Sequence, residues 1–177
     1  GKDVDTVRSI ASITKLMTAM VVLDAGLDLD EKLTIGDADR DRVRMTGSRL
    51  HTGATLTRRE LLVLALMSSE NRAATALGRT YPGGMEAFVA QMNRKAQALG
   101  MSSSRFSDPA GLRTENLSTA SDLAKMIAAA RTYPLILEAT TTQQQEVHPF
   151  ASRGALNYAN TNGLLKNPEW DIELSKT

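Results

Sequence analysis

The 177-residue chain is 42% apolar and 23% charged, with a net charge of +1. That composition excludes a disordered chain and gives no basic surplus for nucleic acid. With no cysteine, disulfides, thiolate catalysis and cysteine-based metal sites are excluded as well. The length suits one medium domain or two small lobes sharing a core. No stretch is long and apolar enough to span a bilayer. The chain starts at Gly1 without a signal-peptide pattern, so it is expected to be a processed, trimmed or partial product.

Ser12 to Ala25 reads as a helix, with Ile13, Leu16, Met17, Met20, Val21 and Leu23 apolar around most of its circumference. Such a helix should be buried, with Ser12 in its first turn at the mouth of a cleft. Gly26 is its stop. Asp28 to Asp41 is polar, with a weak strand signal at Lys32–Ile35. Arg40, Arg42, Arg44 and Arg49 interleave with Asp37, Asp39 and Asp41, and read as a solvated mixed-charge surface, not a phosphate-binding patch. Arg44 to Thr55 reads as a loop.

Thr57 and Glu60 form a capping box before an apolar helix, Leu61 to Met67. Ser68-Ser69-Glu70 interrupts it, and a second helix runs from about Asn71 to Arg79. After a turn at Tyr81–Gly84, Met85 to Leu99 is helical with Phe88, Val89, Met92, Ala96 and Leu99 on one stripe, and Gly100 ends it. Met101 to Asn116 is a loop turning at Asp108-Pro109-Ala110-Gly111. Ser118 to Asp122 caps a helix that reaches about Arg131. Pro134–Glu138 reads as a short turn, Thr140–Val147 as a strand or extended arm, Asn157–Leu165 as turn-rich, and Ile172–Thr177 as the start of a strand.

Chemistry concentrates in three short elements: Ser12-x-x-Lys15, Ser69-Glu70-Asn71 and Lys176-Thr177. Ser and Lys three apart on a helix share a face about one turn apart. A hydroxyl is a poor nucleophile without a base in reach, and an amine becomes that base when burial favours its neutral form. Each element alone has a bland reading: a cap with a solvated lysine, an inter-helix turn, a chain end. Lys15, however, lies among Ile13, Leu16 and Met17 with no other charge until Asp24. His51 and His148 have no partners at ligand spacing, and read as surface or core residues.

Ser-x-x-Lys followed by Ser-x-Asn and Lys-Thr is the motif order of penicillin-binding proteins and class A β-lactamases. The chain resembles the serine-type D-Ala-D-Ala peptidases, the low-molecular-mass penicillin-binding proteins. Arg8 to Ala19 is similar to their nucleophile segment, and Ser68 to Ala74 to their second motif. Asp108 to Leu112 and Leu117 to Ala124 resemble their loop and helix, and Asn160 to Leu165 the segment before the third motif. Val21 to Asp24 and the Ser-Glu-Asn triplet resemble the endopeptidase branch most. The third motif stops at Thr177 without its Gly.

The resemblance implies an α/β (α+β) transpeptidase-like fold, with an antiparallel sheet and a helical lobe. Residues 1–177 are then one partial catalytic domain: a nucleophile helix over 12–25, a mainly helical lobe over 26–160, and the start of the active-site strand over 170–177. Sheet strands are expected to be missing at both ends. It also implies Ser12 as nucleophile, Lys15 as base and Ser69 as proton relay. Asn71 would hold Lys15 and the substrate amide, while Lys176 and Thr177 would bind substrate carboxylate.

The implied substrate is a peptidoglycan stem peptide, cleaved at D-Ala by an endopeptidase in preference to a carboxypeptidase, with β-lactams as acylating inhibitors. No metal or organic cofactor, nucleic acid or membrane association is implied, and the location is periplasmic or extracytoplasmic. A class A-like β-lactamase and a non-catalytic relative or inactive fragment are the alternatives. The first needs a Glu-x-x-x-Asn segment between Asn71 and Lys176, and none fits; Glu86 and Glu115 are poor candidates by context.

Overall fold

The computed structural model describes residues 3–177. Its centre is α1 (Thr14–Asp24), in which Thr14 to Val22 are all buried. A helix apolar on every side needs neighbours on every side. α1 packs against α2 (Arg58–Met67), α3 (Asn71–Arg79), α4 (Gly84–Ala98), α5 (Ala120–Ala130) and α6 (Pro134–Thr141). Met17 and Met20 of α1, Leu61, Leu62 and Leu64 of α2, and Phe88 and Met92 of α4 are fully buried in one core.

Strands among the described residues form three antiparallel pairs. β1 (Arg8–Ser9) pairs with β4 (Leu117–Ser118), and the Ile10 amide donates to the Asn116 carbonyl at 3.0 Å. This ladder pins the segment that leads into Ser12. β2 (Lys32–Thr34) pairs with β3 (Thr55–Thr57), setting Leu33 opposite Leu56 on the buried face. β5 (Gln144–Val147) pairs with β6 (Leu156–Ala159). The capping box forms as expected: the Thr57 hydroxyl accepts from the Glu60 amide at 3.1 Å, and Glu60 accepts from the Thr57 amide at 2.8 Å.

Several expectations need correction. Ser12 lies in a 3-10 turn, Ala11–Ile13, and the α-helix begins only at Thr14. Ala11 is left-handed, with φ of 44°, which breaks α-helical continuity there. Pro134 does not open a short turn. It is the first residue of eight-residue α6, which buries Ile136, Ala139 and Thr140, and packs on α2. That burial overrides the β preference of Thr140–Thr142, so β5 starts only at Gln144. Leu156–Ala159 is a strand and not a turn, because Tyr158 is buried under the Arg49 guanidinium, 4.1 Å from its ring centroid. Ile172–Thr177 (and with it the strand expected over 170–177) joins no ladder among the described residues. Side chains hold it instead: Asn162 donates to the Ser175 hydroxyl at 2.9 Å, and the Thr161 and Thr177 hydroxyls are hydrogen-bonded.

The Arg/Asp stretch is only partly a solvated surface. Arg40 and Arg42 pair with Asp37 in the open. Asp39, by contrast, is buried and takes both Arg79 Nε and Nη2 at 2.8 Å, tying residues 37–39 to α3. Asp41 is also buried, accepting from the backbone amides of Val43, Arg44 and Thr46.

The 108–116 loop lies along the start of α1. Asp108 gathers it, accepting from the amides of Ala110, Gly111, Leu112 and Arg113 and from Asn116 Nδ2. Gly111 has φ of 77°, and a Cβ there would fall 1.9 Å from the Ala11 carbonyl oxygen. Neither backbone can yield. Gly111→Ala is expected to cost at least about 2 kcal/mol of stability, from the left-handed φ and the clash together. Urea unfolding of the variant checks this: a midpoint equal to wild type would contradict the close approach.

Candidate active site

Lys15 is fully buried, with no solvent exposure. A buried ammonium is costly unless its donors are met. Three atoms meet them: Ser12 Oγ at 3.0 Å, Asn71 Oδ1 at 2.8 Å and the Ala110 carbonyl oxygen at 2.7 Å. They come from the turn before α1, the first residue of α3 and the Asp108-held loop. The Thr18 hydroxyl, one turn on from Lys15, donates to the Pro109 carbonyl at 2.7 Å and clamps that loop to α1.

This trio fixes what Lys15 does on losing a proton. An ammonium has three donors; a neutral amine has two and a lone pair. The Ala110 and Asn71 oxygens only accept, so both remaining N–H groups stay with them. The lone pair is then left facing Ser12 Oγ, which can donate. Burial is the main influence on the amine and brings it down to about 8, against the opposing charges of Asp108 and Glu70.

A second cluster holds the other residues. Lys176 Nζ donates to Ser69 Oγ at 3.0 Å and to the Thr177 carbonyl at 2.7 Å, and the Ser69 hydroxyl donates to that carbonyl at 3.1 Å. Burial first, then the charge of Lys15, lowers Lys176 to about 7. Each ammonium disfavours the other, so the pair loses its protons in two steps, with one charge between them at intermediate pH. No hydrogen bond among the described residues joins the two clusters; this electrostatic coupling does.

Ser69 sits at the break between α2 and α3 with φ of 57°. Ser68 closes α2, and Glu70 caps α3 by accepting from the Arg72 amide at 3.0 Å. Holding a serine in the left-handed region costs about 1–3 kcal/mol. Thr161 donates through its amide to the Met67 carbonyl at 3.0 Å, so the Asn160–Asn162 turn ties the end of α2 to residues 175–177. Beside the site, a cleft of about 550 Å³ is lined by Ile13, Leu16, Ile127 and Lys176 among others. Ser12, half-buried, is not part of its lining.

All six sequence-selected residues, Ser12, Lys15, Ser69, Asn71, Lys176 and Thr177, thus fall into these two clusters. Sequence reasoning missed Ala110 and Asp108 as Lys15's support, though Asp-Pro-x-Gly is a turn signal that pointed at the loop. It also missed Thr46, whose Oγ1 lies 3.0 Å from Asn71 Nδ2, and Asp41, whose Oδ2 lies 2.6 Å from that hydroxyl; no sequence signal pointed to either contact. His51 and His148 are exposed, as are Glu86 and Glu115. Among the described residues, no three His, Cys, Asp or Glu side chains cluster to hold a metal ion.

A family model described as D-alanyl-D-alanine carboxypeptidase matches residues 1–177. A D-alanyl-D-alanine endopeptidase of Pseudomonas aeruginosa is 49% identical over 177 residues, covering 100% of this chain and 57% of that protein. The Escherichia coli protein of the same name is 47% identical over 173 residues, covering 98% of this chain and 56% of that protein. The chain therefore spans a little over half the length of these relatives. The crystal structure of the Streptomyces K15 DD-transpeptidase superposes with a TM-score of 0.83 at 33% identity, covering 92% of this chain and 68% of that one. The expected fold is thereby met. With the model matched from end to end and half the residues shared with a relative, the chain belongs to the D-alanyl-D-alanine carboxypeptidase family of serine peptidases.

Proposed function

We propose that this chain carries the acylating centre of a serine DD-peptidase that cleaves peptide bonds after D-Ala in peptidoglycan stem peptides. The observation that carries the reading is Lys15 Nζ 3.0 Å from Ser12 Oγ with two acceptor-only oxygens at 2.8 and 2.7 Å, an arrangement that leaves the lone pair of the neutral amine for the Ser12 proton. Lys15 takes the Ser12 hydroxyl proton as Oγ bonds to the D-Ala carbonyl carbon. Negative charge develops on the carbonyl oxygen, and the Ser12 amide, in the turn that starts the helix, supports it. The C–N bond breaks, and the leaving amine takes the Ser69 hydroxyl proton as Lys176 Nζ, 3.0 Å away, replaces it, while Lys15 keeps the Ser12 proton until the ester is hydrolysed. Water then hydrolyses the ester on Ser12.

Lys176, with Thr177 beside it, binds the substrate carboxylate. That anion favours the charged form of Lys176 and leaves Lys15 as the neutral member of the pair. A β-lactam offers an amide carbonyl in place of the peptide one, and its strained ring opens as it acylates Ser12. An endopeptidase is favoured over a carboxypeptidase by the names of the two most similar relatives described above. Peptidoglycan substrates place the work outside the cytoplasm. No helix among the described residues is long and apolar enough to cross a membrane.

Three outcomes are expected of the full-length protein. Incubation with a penicillin adds the drug's mass, and Ser12→Ala abolishes the adduct; an adduct surviving that change would remove Ser12 as nucleophile. Lys15→Met slows acylation by about 10²–10⁴-fold while the fold persists by circular dichroism. Acylation at near-wild-type rate would remove Lys15 as base. The second-order acylation rate is bell-shaped in pH, rising through about 7 and falling above about 8, because only the singly charged pair can react: its one proton rests mainly on Lys15 in the free protein, and the penicillin carboxylate draws that charge to Lys176 and leaves Lys15 as the base. A rate independent of pH across that range would contradict the pairing.

A further inference from the structure

The Asn71 amide must present oxygen, not nitrogen, to Lys15, and nothing on Lys15 itself enforces this in the neutral state. The other end of the amide does. Asn71 Nδ2 lies 3.0 Å from Thr46 Oγ1, and that hydroxyl lies 2.6 Å from Asp41 Oδ2. A carboxylate only accepts, so the single Thr46 proton goes to Asp41. Thr46 Oγ1 is left with lone pairs toward Asn71, and only the NH2 end of the amide can donate to them. The direction of donation is fixed along the row: Lys15 to Asn71, Asn71 to Thr46, Thr46 to Asp41.

Asp41 is built for this. It is 8% exposed and accepts from the amides of Val43, Arg44 and Thr46 at 2.8, 2.8 and 2.9 Å. Burial raises its carboxyl, but the Thr46 hydroxyl and those amides outweigh it and hold the group at about 2, ionised at any working pH. Met45, immediately before Thr46, takes φ of 55° with its side chain 77% exposed. The loop accepts a left-handed methionine in solvent, and Thr46 thereby reaches Asn71. Arg44 Nε donates to the Leu112 carbonyl at 2.9 Å, joining this loop to the one that supplies the Ala110 acceptor.

We propose that Thr46, polarised by Asp41, is a positioning residue that sets the orientation of the Asn71 amide and through it the lone pair of Lys15. Its role in acylation rests on the function proposed above; the amide orientation does not.

The test compares wild-type, Thr46→Val and Thr46→Ser forms of the full-length protein. Acylation by a fluorescent penicillin is measured across pH, and Lys15 is titrated by the ¹³Cε signal of labelled lysine. Valine keeps the shape of Thr46 and removes the hydroxyl; serine keeps the hydroxyl. Without Thr46 Oγ1 the amide turns freely, Lys15 loses a constant acceptor, and its charged form is less favoured. Thr46→Val is expected to slow acylation about tenfold, the scale of one oriented hydrogen bond, and to move the Lys15 titration to lower pH. Thr46→Ser should restore both. A valine variant that matches wild type in rate and titration, or a serine variant as impaired as the valine one, overturns the proposal. If wild type takes no label at Ser12, the acylation reading fails, and the Lys15 titration alone decides the role of Thr46.

Discussion

The structure depends on burying one amine. Lys15 stands in the first turn of a helix packed on all sides, among apolar side chains. Its charged form is met by three acceptors, and its neutral form by two of them plus a hydroxyl able to donate. The surrounding elements are arranged around that requirement. The β1–β4 ladder and the Gly111–Ala11 contact set Ser12; the Asp108 turn sets Ala110; the start of α3 sets Asn71. Removing any one leaves a buried polar group unpaired, which costs more than the hydrogen bond contributes.

Two of the three acceptors, the Ala110 carbonyl and Asn71 Oδ1, are in turn backed by a carboxylate that is not hydrogen-bonded to Lys15. Asp108 folds its loop around itself with four backbone amides and Asn116. Asp41 does the same for the 41–46 loop and polarises Thr46. Among the described residues, three of the four non-glycine residues with positive φ, namely Ala11, Met45 and Ser69, stand at or next to site residues. Strain of this kind persists only where the surroundings over-determine it. Here the over-determination comes from those two loops, the α2–α3 break and the Asn160–Asn162 turn.

Much of this was legible in the residues. The apolar α1 with one embedded lysine announced both the burial and the pair with Ser12, since helical spacing alone puts positions 12 and 15 on one face. The Thr57–Glu60 box and the Gly100 stop are local signals, and both are met in the structure. α6 and β6 were not legible, because α6 is chosen by packing on α2 and β6 by the burial of Tyr158 under Arg49, both far away in sequence. The strand expected near Lys176 depends on a pairing partner that no described residue supplies. Thr46 and Asp41 escaped for the same reason: a threonine in a polar loop carries no mark of the asparagine it will meet across the site.

The most direct measurement is a crystal structure of the full-length protein, determined free and after reaction with a penicillin. The free form should show Lys15 Nζ within hydrogen-bond distance of Ser12 Oγ, Asn71 Oδ1 and the Ala110 oxygen together. The reacted form should show continuous density from Ser12 Oγ to the opened lactam, with the Asn71 and Ala110 contacts retained. A Lys15 amine pointing away from Ser12, or an acyl group attached to any other residue, would contradict the assignment of this buried amine as the base.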